Sequence, residues 1–242
     1  MDTPVEMSQT IAYGSHSAQR IYCYSPANPA ASRGLAILVH GGYWRAQFDA
    51  SLMNPLATDL CSRGWAVANV EYRRGAADSA WPDPRDDVDA AIRAVTDSAW
   101  AQQFSGSRIT IGHSVGGQLV LLSTAPVDGV VALAPVTDVA RTYAEDLAEG
   151  AVVEYFGAGR PDVYHDASPL QQTHAGTPTL VVHGDADLRV PLAHTHDFVR
   201  QAQAHGAQIE LSVQPGMDHV QLIDPQADHW PNVLAWMQTR SG

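Results

Sequence analysis

Short, unbroken apolar runs recur along the chain. LAILVH occupies 35–40, AVANVEY 66–72, RITIG 108–112, VVAL 130–133, TLVVH 179–183 and IELSV 209–213. Runs of this length without polar alternation suit strands buried on both faces of a parallel sheet. An earlier run, RIYCY at 20–24, reads as an edge strand. Between the runs the apolar period changes to that of a helix. Leu52, Leu56 and Leu60 share one face in 51–63, and Val88, Ile92, Val95 and Ala99 share one in 86–101. Further helical stretches cover 118–123, 192–205 and 230–239. The stretch PDPRDDVD places proline and acids where a helix N-terminus favours them. Strands alternating with helices predict an α/β fold: a doubly wound, mostly parallel sheet with helices on both faces.

One segment breaks the alternation. Residues 137–172 show no strand and little apolar period, and they contain Gly150, Gly157, Gly159 and Pro161. An irregular insertion in an otherwise regular domain is usually functional, disordered or a lid, and this one reads as lid-like. The rest reads as a single domain over 1–242.

Within this frame, the stretch 112–116 carries chemistry. Gly112-His113-Ser114-Val115-Gly116 lies where a strand ends and a helix begins. A serine in that turn needs a strained backbone, and flanking glycines remove the side chains that would collide. The turn lifts the Ser114 hydroxyl above the carboxyl edge of the sheet. Val115 opens the helix, so its N–H points at whatever Ser114 attacks.

A serine hydroxyl is a weak nucleophile until a base takes its proton, and the base needs an acid to orient it. Both candidates are expected at strand ends on the same edge. TLVVHGDADLRVP places Asp185 and Asp187 after one strand, and QPGMDHVQ places His219 after the last. Asp187 is the expected acid, and Asp185, nearer the strand end, is expected to brace the turn. Among eleven histidines, His229 is the rival base, although it opens the last helix. His40 and His183 end strands and are expected to hold loops. His194, His196 and His205 fall on a helix and read as surface groups. His165 and His174 lie in or just after the insertion, and His16 comes too early. His113 faces away from the hydroxyl by alternation. Preorganised N–H donors for the developing oxyanion are expected from the glycine turn His40-Gly41-Gly42-Tyr43-Trp44.

Together these residues resemble the α/β-hydrolase fold. More narrowly they resemble the hormone-sensitive-lipase-like esterases and the kynurenine formamidases (arylformamidases). The resemblance rests on His40-Gly41-Gly42-Tyr43-Trp44, Val70-Glu71-Tyr72-Arg73, Trp81-Pro82 with Asp86-Asp87, and Gly112 to Gly117. Ser168-Pro169-Leu170, His183 to Asp187 with Val190-Pro191, and Asp218-His219 complete it. It implies a Ser114–His219–Asp187 triad and an oxyanion hole from the N–H groups of Gly42, Tyr43 and Val115. Where many of the esterases carry a third glycine this chain has Tyr43, which is similar to the formamidase loop. The resemblance therefore implies an arylformamidase acting on N-formyl-kynurenine or a similar aryl formamide. The alternatives are a short-acyl carboxylesterase with the same machinery and, from another class, a non-catalytic binding protein on this fold. Tyr43, Trp44 and His113 are the candidate substrate-contact residues. With little sequence before residue 20, any lid is expected from 137–172.

Composition narrows the remaining classes. The formal net charge is −12, and the 14 basic residues, all arginine, are scattered, so no nucleic-acid footprint is present. The apolar fraction of 45% comes without any run long enough to span a membrane. The start, MDTPVEMSQTIAYG, does not read as a secretory signal, so a cytoplasmic enzyme is expected. Cys23 and Cys61 read as buried structural thiols, and no metal or organic cofactor is called for. The expected partner is a small acyl amide or ester, and homodimerisation stays open.

Overall fold

The structure is a computed structural model that describes residues 7–172 and 176–240. Its strands are β1 (Gln9–Ala12), β2 (Arg20–Tyr24), β3 (Gly34–Val39), β4 (Ala66–Glu71), β5 (Ser107–His113), β6 (Gly129–Leu133), β7 (Thr179–Gly184) and β8 (Ile209–Gln214). They form one sheet in the order β1-β2-β4-β3-β5-β6-β7-β8. β1 and β2 are antiparallel to their neighbours, and every pairing from β4 to β8 is parallel. Arg20–Tyr24 is therefore not an edge strand. β1, a four-residue and mostly exposed strand, covers it. The sequence QTIA is too short and too polar to announce itself as a strand.

The helices are α1 (Asn54–Ser62), α2 (Asp83–Thr96), α3 (Val115–Leu122), α4 (Val139–Ala144), α5 (Ala151–Phe156), α6 (Pro161–Asp166), α7 (Leu192–Ala204) and α8 (Trp230–Gln238). Every residue of β3, β4, β6 and β7 is buried. Their side chains alternate between two apolar cores, as strand geometry requires. Leu35, Ile37 and Val39 point to the face that holds Val88 and Ile92 of α2, Leu119 of α3 and Phe198 of α7. Ala36 and Leu38 point to the opposite face, against Leu56 and Leu60 of α1 and Trp230 and Met237 of α8. Both cysteines are free and buried in these cores. Among the described residues no helix is long and apolar enough to cross a membrane.

The insertion at 137–172 is not irregular. It folds as α4, α5 and α6, with one 3-10 turn between α4 and α5 and another after α6. Each helix has six residues, less than two turns, so no apolar period can develop in the sequence. Asp138 caps α4 by accepting from the Arg141 N–H. This segment also explains a corrected expectation. His194 is not a surface group: it is buried, and Oε2 of Glu145, just after α4, comes 2.9 Å from its Nε2. His196 and His205 are exposed, as expected. His174 and residues 1–6, where the signal reading begins, lie outside the described residues.

Candidate active site

Parallel strands β3, β5, β7 and β8 end at one edge of the sheet, and the candidate residues sit on the loops that leave it. Ser114 joins β5 to α3 with φ 56° and ψ −117°, outside the ordinary regions for a side-chain-bearing residue. The turn is held by the Ser114 N–H to Leu133 O (2.8 Å) and by the Val136 N–H to Ser114 O (3.2 Å). The glycines are there because backbone fills the space. A Cβ on Gly112 would lie 2.2 Å from Gly116 O, and one on Gly116 would lie 2.1 Å from Val39 O. A Cβ on Gly41 would lie 2.9 Å from the Ser114 Cβ, so the glycine turn after β3 packs directly on the elbow.

Asp187 and His219 meet although 32 residues separate them. His219 Nδ1 lies 2.6 Å from Asp187 Oδ2, and both side chains are buried. The other oxygen, Oδ1, accepts from the backbone N–H groups of Arg189 and Val190. Burial pushes the Asp187 carboxyl pKa up. Hydrogen bonds from His183 and His219, the charge of His219 and the Val190 N–H outweigh it and hold the group well below the ordinary carboxylate range. Asp185 braces the site, accepting from the Gly216 N–H (2.6 Å) and so tying this loop to the one that carries His219.

The rival base stands apart from this cluster. His229 is buried, with Nε2 bonded to Leu222 O (3.1 Å). His183 donates from Nε2 to Val190 O and accepts at Nδ1 from Thr195, holding the acid loop as expected. His113 is one of the candidate substrate contacts, yet its ring is buried. Its Nε2 donates to His219 O (3.0 Å) and its ring centroid lies 4.6 Å from that of His219. Burial, then the neighbouring His219, push its pKa down to about 3. A neutral His113 therefore orients the backbone of His219. Trp44 and Tyr43, the other substrate-contact candidates, are also buried, and Tyr43 lies within electrostatic reach of Arg189 and Asp187.

The glycine turn has its own support. Tyr43 and Trp44 both have positive φ, 55° and 58°. His40, at the head of the turn, contacts Gly41 O through Nδ1 and Glu71 Oε1 through Nε2. The Tyr72 hydroxyl donates to His40 O (2.8 Å), and the two rings stack at 4.4 Å. Glu71 also accepts from the N–H groups of Ala50 and Tyr72 and pairs with Arg74. Burial raises the Glu71 pKa, but the bonds from His40 and Ala50 and the charges of His40 and Arg74 bring it below its usual value. The Trp44 Nε1–H donates to Gln118 Oε1, and the Gln118 amide donates to Ala167 O beyond α6. Arg45 pairs with Glu149 and Glu154 of the inserted segment. Glu71 entered the sequence reading within Val70-Glu71-Tyr72-Arg73 without a role, and neither Gln118 nor Arg45 stands out as functional there. A faint signal exists: Glu71 ends an apolar run, and Gln118 is the one polar residue of VGGQLVLL.

The arrangement has the parts of an acyl-transfer site: a displayed hydroxyl, an acid-paired imidazole and a glycine turn against the helix N-terminus. Comparison with known proteins agrees. The chain is 29% identical over 245 residues to Esterase LipC of Mycobacterium tuberculosis, an alignment covering 86% of this chain and 58% of that protein. It is 26% identical over 243 residues to the acylamino-acid-releasing enzyme of Rattus norvegicus, covering 90% of this chain and 33% of that enzyme. The chain thus spans little more than half of the first relative and a third of the second. Among solved structures, a truncated carbohydrate esterase from gut microbiota superposes with TM-score 0.83 at 20% identity, covering 99% of both chains. Butyrate-bound esterase 2 of Thermogutta terrifontis superposes with TM-score 0.74 at 20% identity, covering 96% of this chain and 91% of that one. Likeness at such identity speaks for the α/β-hydrolase fold. The sequence pattern of the prolyl oligopeptidase family matches residues 58–242, a stretch that contains Ser114, Asp187 and His219, and the chain belongs to that family of serine hydrolases.

Proposed function

We propose that this protein is a carboxylesterase for esters of small acyl groups, with Ser114 as nucleophile, His219 as general base and acid, and Asp187 as the orienting acid. The observation that carries the reading is the buried His219–Asp187 pair beside a strained serine turn. The name of the mycobacterial relative supports an ester substrate.

In the first step His219 Nε2 takes the Ser114 proton as Oγ bonds to the ester carbonyl carbon. Asp187 holds the Nδ1–H tautomer and stabilises the imidazolium. The tetrahedral oxyanion is bound by the N–H of Val115 and those of Gly42 and Tyr43. The carbon–oxygen bond to the alcohol then breaks, and the alcohol leaves with the proton from His219. Water attacks the acyl-Ser114 carbonyl carbon and gives its proton to His219. Collapse releases the carboxylic acid and returns the proton to Ser114.

A second reading keeps the machinery and changes the substrate to an aryl formamide. It rests on the His-Gly-Gly-Tyr-Trp turn, which has Tyr43 where many esterases carry a third glycine. A kcat/KM comparison of p-nitrophenyl acetate with N-formyl-kynurenine separates the two. Ester turnover with negligible formamide turnover is expected, and the reverse ranking would establish the formamidase. Ser114→Ala should abolish both activities and labelling by a fluorophosphonate. Failure of the unaltered protein to label would point to a non-catalytic binding protein.

A further inference from the structure

Bulky residues rarely adopt positive φ, and two in succession persist only where their surroundings over-determine them. Tyr43 and Trp44 are such a pair. The result is directional. The turn, closed by the Arg45 N–H to Gly42 O (3.0 Å), sends the Trp44 indole inward until it is 1% exposed. There its Nε1–H donates to Gln118 Oε1 at 3.1 Å. Gln118 is four residues after Ser114, on the same side of α3, and its N–H is bonded to Ser114 O (3.0 Å). The indole therefore lies against the elbow helix one turn from Ser114. From the inserted segment, Phe156 meets it edge-on with centroids 4.9 Å apart, and Tyr155 stacks at 6.2 Å. The Tyr155 hydroxyl is itself bonded to Ser79, which fixes that ring. Three rings from two separate parts of the chain thus pack together against the elbow helix.

We propose that Trp44 is the specificity-determining residue of this site. Its indole plugs the side on which an acyl chain extends from the carbonyl carbon held by Ser114, and it confines the enzyme to short acyl groups. This rests on the reading of Ser114 as nucleophile. The strained turn positions the plug, Gln118 holds its polar edge, and Phe156 and Tyr155 stop it from swinging away.

The test is a matrix of kcat/KM values. One series varies the acyl group at constant leaving group: p-nitrophenyl acetate, butanoate, hexanoate and octanoate. The other varies the alcohol at constant acyl group: methyl, butyl and hexyl acetate. In the unaltered enzyme the acyl series should fall at least about tenfold from butanoate to octanoate, the size of discrimination a packed apolar wall provides. Trp44→Ala should flatten or invert that fall, and Trp44→Phe should keep it. Should Trp44→Ala not fold, Phe156→Ala trims the same wall and should relax the acyl series in the same direction. A uniform loss across the acyl series in the trimmed variants overturns the proposal, and so does relaxation confined to the alcohol series. Ser114→Ala and fluorophosphonate labelling, measured in parallel, report on the nucleophile alone, so a failed plug and a failed nucleophile give different results.

Discussion

The Nδ1 atom of His219 lies 2.6 Å from Asp187 Oδ2, and the remaining Asp187 oxygen is occupied by two backbone N–H groups. This pair decides what each partner can do. With Oδ1 saturated by the Arg189 and Val190 N–H groups, the carboxylate presents one oxygen to His219. The imidazole is thereby fixed with Nδ1 protonated and Nε2 free to accept.

Asp187→Asn should keep the fold and lose the chemistry. The amide can turn an N–H toward Nδ1 and so favour the wrong tautomer. We expect kcat on p-nitrophenyl acetate to fall by about 10⁴-fold, the scale of the equivalent change in other triads. Circular dichroism should be unchanged. A loss of less than tenfold would remove Asp187 from the site.

Glu71→Gln probes the support of the glycine turn. Glutamine keeps the shape but not the charge facing Arg74 and His40. In the proposed mechanism the turn's N–H groups act on an oxyanion present only in the transition state. Steady-state kinetics should therefore show kcat falling with KM nearly constant, by less than the roughly 10²–10³-fold lost when an oxyanion donor is removed outright. A change in KM alone would mean that the network shapes ground-state binding instead.

Stability should fall as the protein is acidified below about pH 6.5, before ordinary carboxylates protonate. His113 is held near pKa 3 in the fold, against a value of 6.5 when unburied. Between those values the unfolded chain binds the extra proton. The stabilisation is full above pH 6.5 and is lost as pH falls, by at most about 1.4 kcal/mol per pH unit for one group. His229, also lowered by burial, acts in the same sense. Asp187 and Glu71, depressed carboxylates, add to the loss only at lower pH. His113→Gln can still donate to His219 O but does not titrate. Melting curves at pH 7, 6 and 5 should show a shallower slope for this variant; an unchanged slope would contradict the buried neutral histidine.

Gly116→Ala should be among the most damaging single methyl additions. The new Cβ would meet Val39 O at 2.1 Å and His40 O at 2.6 Å, both backbone atoms of β3 and its turn. Relief requires α3 to move off the sheet, and with it Ser114. Loss of activity together with a lowered Tm is expected. Gly150→Ala is the contrast, because no atom lies within 4 Å of its Cβ position and the cost is confined to backbone strain at φ 75°. Equal Tm values for the two variants would refute the packing argument.

Much of the frame was legible in the chain. Strands β3 to β8 each fall within one residue of their predicted runs at either end; β3, β4, β6 and β7 are buried on both faces and so are apolar nearly throughout, whereas β8 is the part-exposed edge strand, polar at Glu210 and Ser212. The elbow was legible because backbone contacts that exclude a Cβ leave glycine as the residue that fits, and glycine is visible in a sequence. Asp187 and His219 could be chosen by asking which acid and which histidine follow strand ends. The three helices of 137–172 were not legible, since helices under two turns carry no period. Nor was the burial of His194, which depends on a cap whose shape the local sequence does not encode.

The sequence by itself determined the sheet, the serine turn and the residues available to serve it, because those follow from local periodicity and from glycine positions. Only the tertiary structure decided how they are held. It bonded the His113 ring to the backbone of His219. It set Glu71 behind His40, and it turned Trp44 inward against Gln118 and Phe156. Each of these joins residues far apart in the chain through a directional hydrogen bond or a ring contact. Such contacts leave no periodic trace, and they exist only once the sheet has brought its loops to one edge.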